Sequence, residues 1–230
     1  MEKLIYLLGD AESGTLPRAR SDLRDALLEI GPDLVRAGAR RISLAVADLD
    51  DPDADRVRQF NASGLMDAKL SLWLESVDDR SRIEALFSPL AKRSAGYLVT
   101  ESVPRALRGQ DLGPGERSPG VSLLTTFPKP DRIDEETFYD RWHGSHTPLS
   151  LEIHPLIQYV RNSVARVLTT GAPPIRAIVN ESVASIAIAA DPISFYRSER
   201  DRERAVEDLF SFVDFETLSM VLMSEYILSD

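Results

Sequence analysis

The chain has 230 residues, 43% of them hydrophobic, with 27 Lys and Arg against 37 Asp and Glu, a formal net charge of −10. This excludes a disordered chain and argues against gripping a phosphate backbone, and the absence of cysteine removes disulfides, Cys-ligated zinc, iron–sulfur clusters and thiol catalysis. No apolar run approaches the roughly 20 residues that cross a bilayer, and Met1–Gly9 is too short and too acidic for a signal peptide, so a cytoplasmic location is expected, with neither nucleic acid nor membrane as partner.

Leu4–Leu8 is a strand candidate. Leu23, Ala26, Leu27, Ile30 and Leu34 then recur at the spacing of one helix face, with Ser21 as cap. Two strand candidates follow, Arg41–Ala47 and Lys69–Glu75, separated by the acidic stretch Asp48–Asp55. That stretch lacks EF-hand spacing and reads as a solvated loop. A short helix near Ser81–Lys92 and a strand from Gly96 to Val103 complete a β-α-β-β-α-β order. Residues 107–119 (LRGQDLGPGERSP) are rich in Gly, Pro and charge and read as a connection.

The second half repeats the order. Val121–Phe127 is a strand, and Asp134 caps a helix running to about Ile153. Gln158–Leu168 and Ser182–Ala189 are the paired middle strands. Asp191-Pro192 opens a helical stretch to about Phe212, and Thr217–Ile227 is the last strand. Matching Leu4 to Val121, Ile42 to Gln158 and Leu70 to Ala187 gives offsets of 117, 116 and 117. The domain reading is a first unit over 1–108, a linker over 109–119 and a second unit over 120–230. Several strands are apolar on both faces, which two sheets in one chain satisfy by packing on each other. The expected fold is α+β, a barrel-like pair of sheets with helices outside and a space between the sheets for a small apolar ligand.

The chemistry concentrates in Phe138–Pro155, which holds all three histidines, His143, His146 and His154. On a helix, Phe138, Trp142 and His146 form one stripe, and Tyr139 lies beside Trp142, His143 and His146. Pro148 is expected to kink or end the helix just after His146. An imidazole at such an end, beside a cleft, suits proton transfer near neutral pH. His143 and His146 could share a metal with His154 or Glu152, but the spacing is not HExxH and no metal is expected. Phosphate-binding glycine loops and a G-x-S-x-G elbow are absent, and RSERDRER at 197–204 reads as a solvated helix surface.

Trp142, His146, Pro148 and Leu149, followed by Tyr159, Val160 and Asn162, resemble the W-x-x-x-H-x-P-L and Y-V-x-N patterns of the EthD family, over about residues 120–227. The resemblance implies a dimeric α/β barrel of ferredoxin-like units, here formed within one chain by two tandem units, with the first half a structural partner lacking Trp and His on its helix. The expected catalytic residues are His146, Tyr159 and Asn162, with Phe138, Trp142, Tyr139 and His143 lining a substrate site; His143 and His154 have no matching position in the family pattern and rank below His146. Tyr159 and Asn162 are three apart, so without a bulge only one faces the site. The activities in view are cofactor-free cyclisation, dehydration, decarboxylation or isomerisation of a small apolar, aromatic or polyketide-like molecule. The alternative is a non-catalytic binding or accessory protein beside an oxidoreductase pathway. A haem protein is a third reading, suggested by wider barrel relatives. No cofactor is expected, and a homodimer is compatible with the sequence.

Overall fold

The computed structural model describes residues 1–9, 20–58, 64–108 and 111–229. In chain order the first half gives β1 (Glu2–Gly9), α1 (Arg20–Glu29), α2 (Gly31–Arg36), β2 (Arg40–Val46), α3 (Pro52–Arg58), β3 (Ala68–Leu74), α4 (Ser81–Phe87) and β4 (Arg93–Arg105). The second gives β5 (Val121–Phe127), α5 (Glu135–Tyr139), a π-helical turn (Asp140–His146), α6 (Thr147–Ile153), β6 (Gln158–Val167), β7 (Ala177–Val183), α7 (Ile186–Ala190), α8 (Pro192–Tyr196), α9 (Glu199–Phe210) and β8 (Ser219–Ser229).

The strands close into one barrel in the order β1-β3-β2-β8-β5-β7-β6-β4. Each half supplies four antiparallel strands in the ferredoxin-like order, and the seams are β2 with β8 and β4 with β6. The fold class is therefore as the strand pattern implies, a dimeric α/β barrel type built within one chain. The sheets join edge to edge through backbone hydrogen bonds instead of stacking. None of the described helices is long and apolar enough to cross a membrane.

Several boundaries differ from expectation. The second middle strand of the C-terminal half is Ala177–Val183, and Ile186–Ala190 is a helix. Ser185 caps it, its hydroxyl accepting from Ile188 N at 3.4 Å. A short apolar run does not distinguish strand from helix, and the cap decides. The match of Leu70 to Ala187 therefore fails. The acidic stretch is also not a plain loop: Asp51 Oδ1 accepts from Asp53 N at 2.8 Å and opens α3. Asp48 is buried, accepting from Tyr226 Oη at 2.7 Å and Arg24 Nη1 at 3.2 Å. The described part of the connection lies along β8, with Gly115 N donating to Ile227 O at 2.7 Å and Ser118 N to Glu225 O at 2.7 Å.

The interior is filled, not open. Ile5, Leu7, Ala45, Tyr97, Leu124, Ile178, Val221 and Met223 pack there as one cluster. A polar layer continues it. Lys3 Nζ donates to Asn162 Oδ1 at 2.9 Å and pairs with Glu101. Lys69 Nζ donates to Asn180 Oδ1 at 2.8 Å, and Asn180 Nδ2 to Ser122 Oγ at 3.0 Å. Burial pushes the Lys69 ammonium down to about 8. Two further cores lie outside the barrel between strands and helices, and each is completed from the other half: Tyr226 and Leu228 of β8 join the first, Ala54 and Val57 of α3 the second. The expected ligand space between the sheets is thus occupied by side chains, and the cavity lies elsewhere.

Candidate active site

The cavity lies on the outer face of the C-terminal half, between its strands and α8–α9. Leu123, Thr125, Tyr159, Val179 and Glu181 form the strand side. Trp142, His146 and His154 come from the helical segment before β6, and Phe195, Leu209 and Phe215 close the other side. Its volume is about 110 Å³. An apolar cavity of about 150 Å³ accepts benzene, so this one is of single-ring size.

Pro148 shapes the segment that carries the histidines. It has no N–H to offer the preceding turn and its ring crowds the carbonyl there. The helix responds by widening, and Thr147 N bonds to Trp142 O, five residues back. The Thr147 hydroxyl donates to the same carbonyl at 3.0 Å. The helix therefore does not end after His146; it continues through Pro148 to Ile153. Such π turns recur at functional sites.

His146 Nδ1 lies 2.8 Å from Asp208 Oδ2 of α9. Both side chains are 15% exposed. The other Asp208 oxygen accepts from the Ser145 hydroxyl. Contacts from His146 and Ser145 hold the Asp208 carboxyl below its ordinary value, against the opposing effect of burial. A carboxylate accepts only, so the arrangement places the imidazole proton on Nδ1 and leaves Nε2 as the basic nitrogen.

Glu181 reaches the same cavity from β7, and burial raises its carboxyl above the usual range. His154 is buried against Phe195 and Tyr196, with ring centroids 4.2 and 5.0 Å away. Burial, then His146, pushes it down to about 3, so it is a neutral imidazole in the cavity wall. The Tyr159 phenol is held protonated, primarily by burial, with its oxygen 3.5 Å from Thr147 Oγ1.

Of the residues the sequence nominates, His146, Tyr159 and Trp142 line the cavity. Asn162 does not. Alternation along β6 turns it into the barrel, where Oδ1 accepts from Lys3 and Nδ2 donates to Ile178 O at 3.1 Å. Phe138 is fully buried core, packed on Phe127, Trp142 and Phe212. Tyr139 stacks on Trp142, and His143 packs on both rings. Neither Tyr139 nor His143 lines the cavity. His154, which the sequence offers only as a possible metal partner, does. Asp208 and Glu181 were missed. A single Glu within the apolar strand AIVNESV was the available signal for Glu181; Asp208 sits in a strongly charged helix that hides it. Among the described residues no cluster of His, Asp or Glu could hold a metal.

A closed eight-stranded barrel of two ferredoxin-like halves, with one imidazole-bearing cavity outside its second half, defines a dimeric α/β-barrel type of protein. No family model and no curated protein matches the sequence. Solved structures do match in fold. An anthrone oxidase-like protein is 13% identical with a TM-score of 0.60, covering 100% of this chain and 93% of its own. A variant of the chlorite dismutase from Candidatus Nitrospira defluvii is 11% identical with a TM-score of 0.49, covering 99% and 92%. A dye-decolorizing peroxidase from Bacteroides thetaiotaomicron is 9% identical with a TM-score of 0.48, covering 99% and 93%. Likeness at these identities concerns the fold. At about 110 Å³ the cavity is smaller than a porphyrin, which is four pyrrole rings wide.

Proposed function

We propose that the chain is a cofactor-free acid–base enzyme acting on a small, largely apolar molecule with one ring bearing a carbonyl or phenol. One observation carries the reading: His146, its Nδ1 held by Asp208 at 2.8 Å, lines an apolar cavity of single-ring size. The EthD-like motif around Trp142, His146, Pro148 and Leu149 supports it, as does a fold neighbour named anthrone oxidase-like. In this reading Nε2 of His146 removes a proton from an activated C–H or O–H of the substrate. Asp208 stabilises the imidazolium that forms. Glu181, which keeps its proton to higher pH than an ordinary carboxyl, gives that proton to the substrate oxygen, and the neutral enol results. Returning the His146 proton to a different carbon of the conjugated enol, while the enol O–H gives its proton back to Glu181, completes an isomerisation and restores both groups. Tyr159, Trp142 and Phe127 hold the ring.

The test needs no known product. Single-ring enolisable ketones and phenols are incubated with the protein in D₂O, and C–H exchange is followed by NMR. A hit is expected to exchange at least ~10²-fold more slowly with His146→Gln or Asp208→Asn. Equal rates in wild type and both variants would overturn catalysis by His146. Saturable binding with no exchange would favour the second reading, a small-molecule-binding protein, for which the apolar lining already speaks.

A further inference from the structure

The wall formed by Trp142 and Tyr159 has a second side. There, β6 presents Arg161 outward, beneath the π turn. Its Nη1 donates to Thr147 Oγ1 at 2.7 Å. Among the described residues no carboxylate forms an ion pair with it, and besides burial only Tyr159 acts on its charge. Three other half-buried arginines differ: Arg24 has Asp48, Arg80 has Glu84 and Arg176 has Glu135. In a chain of net charge −10, a half-buried guanidinium without a carboxylate stands out, because its desolvation is uncompensated.

Its surroundings are donors. Arg161 Nε and His143 Nε2 are both buried without a hydrogen-bond partner. His143 stays neutral near pH 7, pushed down to about 4 by burial and then by Arg161, so Nε2 is free to carry the proton. Across the β4–β6 seam, Ser102 opposes Arg161 and Arg105 opposes Tyr159, which puts Arg105 on the same outer face. Arg105 Nη1 donates to Leu156 O at 2.7 Å, and it too lacks a carboxylate among the described residues. A planar guanidinium with spare donors, a neighbouring imidazole and a second arginine is the chemistry that recognises a planar or tetrahedral oxyanion.

We propose that Arg161 and His143, flanked by Arg105, form a binding site for a small oxyanion, a carboxylate or a phosphate, on the side of Trp142 and Tyr159 away from the cavity. The site does not rest on the proposed catalysis. The His143 ring resonances report on it directly by NMR while inorganic phosphate, and separately acetate, is titrated into the full chain at constant ionic strength. A saturable shift at His143 is expected for at least one probe, and which one responds identifies the source. Arg161→Met is expected to weaken it about tenfold or more. Should Arg161→Met fail to fold by circular dichroism, Arg161→Lys keeps the charge without the fork and is expected to bind more weakly than wild type. No saturable shift with either probe, a shift that chloride reproduces, or affinity unchanged in the folded variant would each overturn the site.

Discussion

At the scale of single residues, His154 separates burial from function. It is 4% exposed, neutral, and pushed down to about 3. In the unfolded chain the same imidazole titrates near 6.5. The native state therefore binds fewer protons below that pH, and stability falls as pH drops from about 6.5 toward 3, at up to about 1.4 kcal/mol per pH unit from this residue. Replacing His154 by Phe is expected to flatten that part of the curve, measured as Tm against pH. An unchanged slope would place the acid sensitivity elsewhere. Tyr159 and Asn162 show what was legible at this scale: strand alternation alone said that one would face the site. Which one depended on the inward-facing Lys3, a contact across 159 positions that no local pattern announces. Asp208 was hidden for the same reason, being 62 positions from His146.

At the scale of elements, the strand and helix order was readable because most segments keep a clean period. The failures cluster where capping side chains or a proline overrule it: Ser185 starts a helix inside an apolar run, and Pro148 widens a turn instead of ending it. That turn sets the direction of His146. Pro148→Ala restores an N–H to the preceding turn and lets it close as an ordinary α-turn. Helix stability is expected to rise by about 1 kcal/mol or more, measured by chemical denaturation. The contact between His146 and Asp208 is expected to loosen, seen as changed His146 ring resonances by NMR at fixed pH. A gain in stability with those resonances unaltered would mean the π turn does not position the imidazole. Gly96 is a different kind of constraint, since a Cβ there would meet Tyr6 Cε1 at 2.6 Å.

At the scale of the whole molecule, the two halves are equivalent in path but not in chemistry. Ala45 opposes Glu225 across one seam, and Asn162 opposes Glu101 across the other. The two glutamates are thus counterparts, and so are Ala45 and Asn162. Lys69 opposes Ala45 and Ile178 opposes Asn162, so the N-terminal half alone carries that lysine. The lysines of the polar layer come from one half and its asparagines from the other. Lys69→Met leaves the Asn180 carbonyl without that donor and is expected to cost about 1–3 kcal/mol. The double variant Lys69→Met, Asn180→Leu is expected to recover much of that loss in urea unfolding. Strictly additive losses would show that the pair is not coupled.

The closed strand order has one more consequence. Every sheet edge is paired with another edge of the same polypeptide. Barrels assembled from separate copies come apart on dilution, whereas here closure is intramolecular and its completeness is set by the connection between the halves, whatever the protein concentration. One half is also freed from having to serve as both wall and workplace. It can lose its own cavity chemistry while the other keeps it, an asymmetry that identical copies related by a two-fold axis cannot adopt without each copy changing alike.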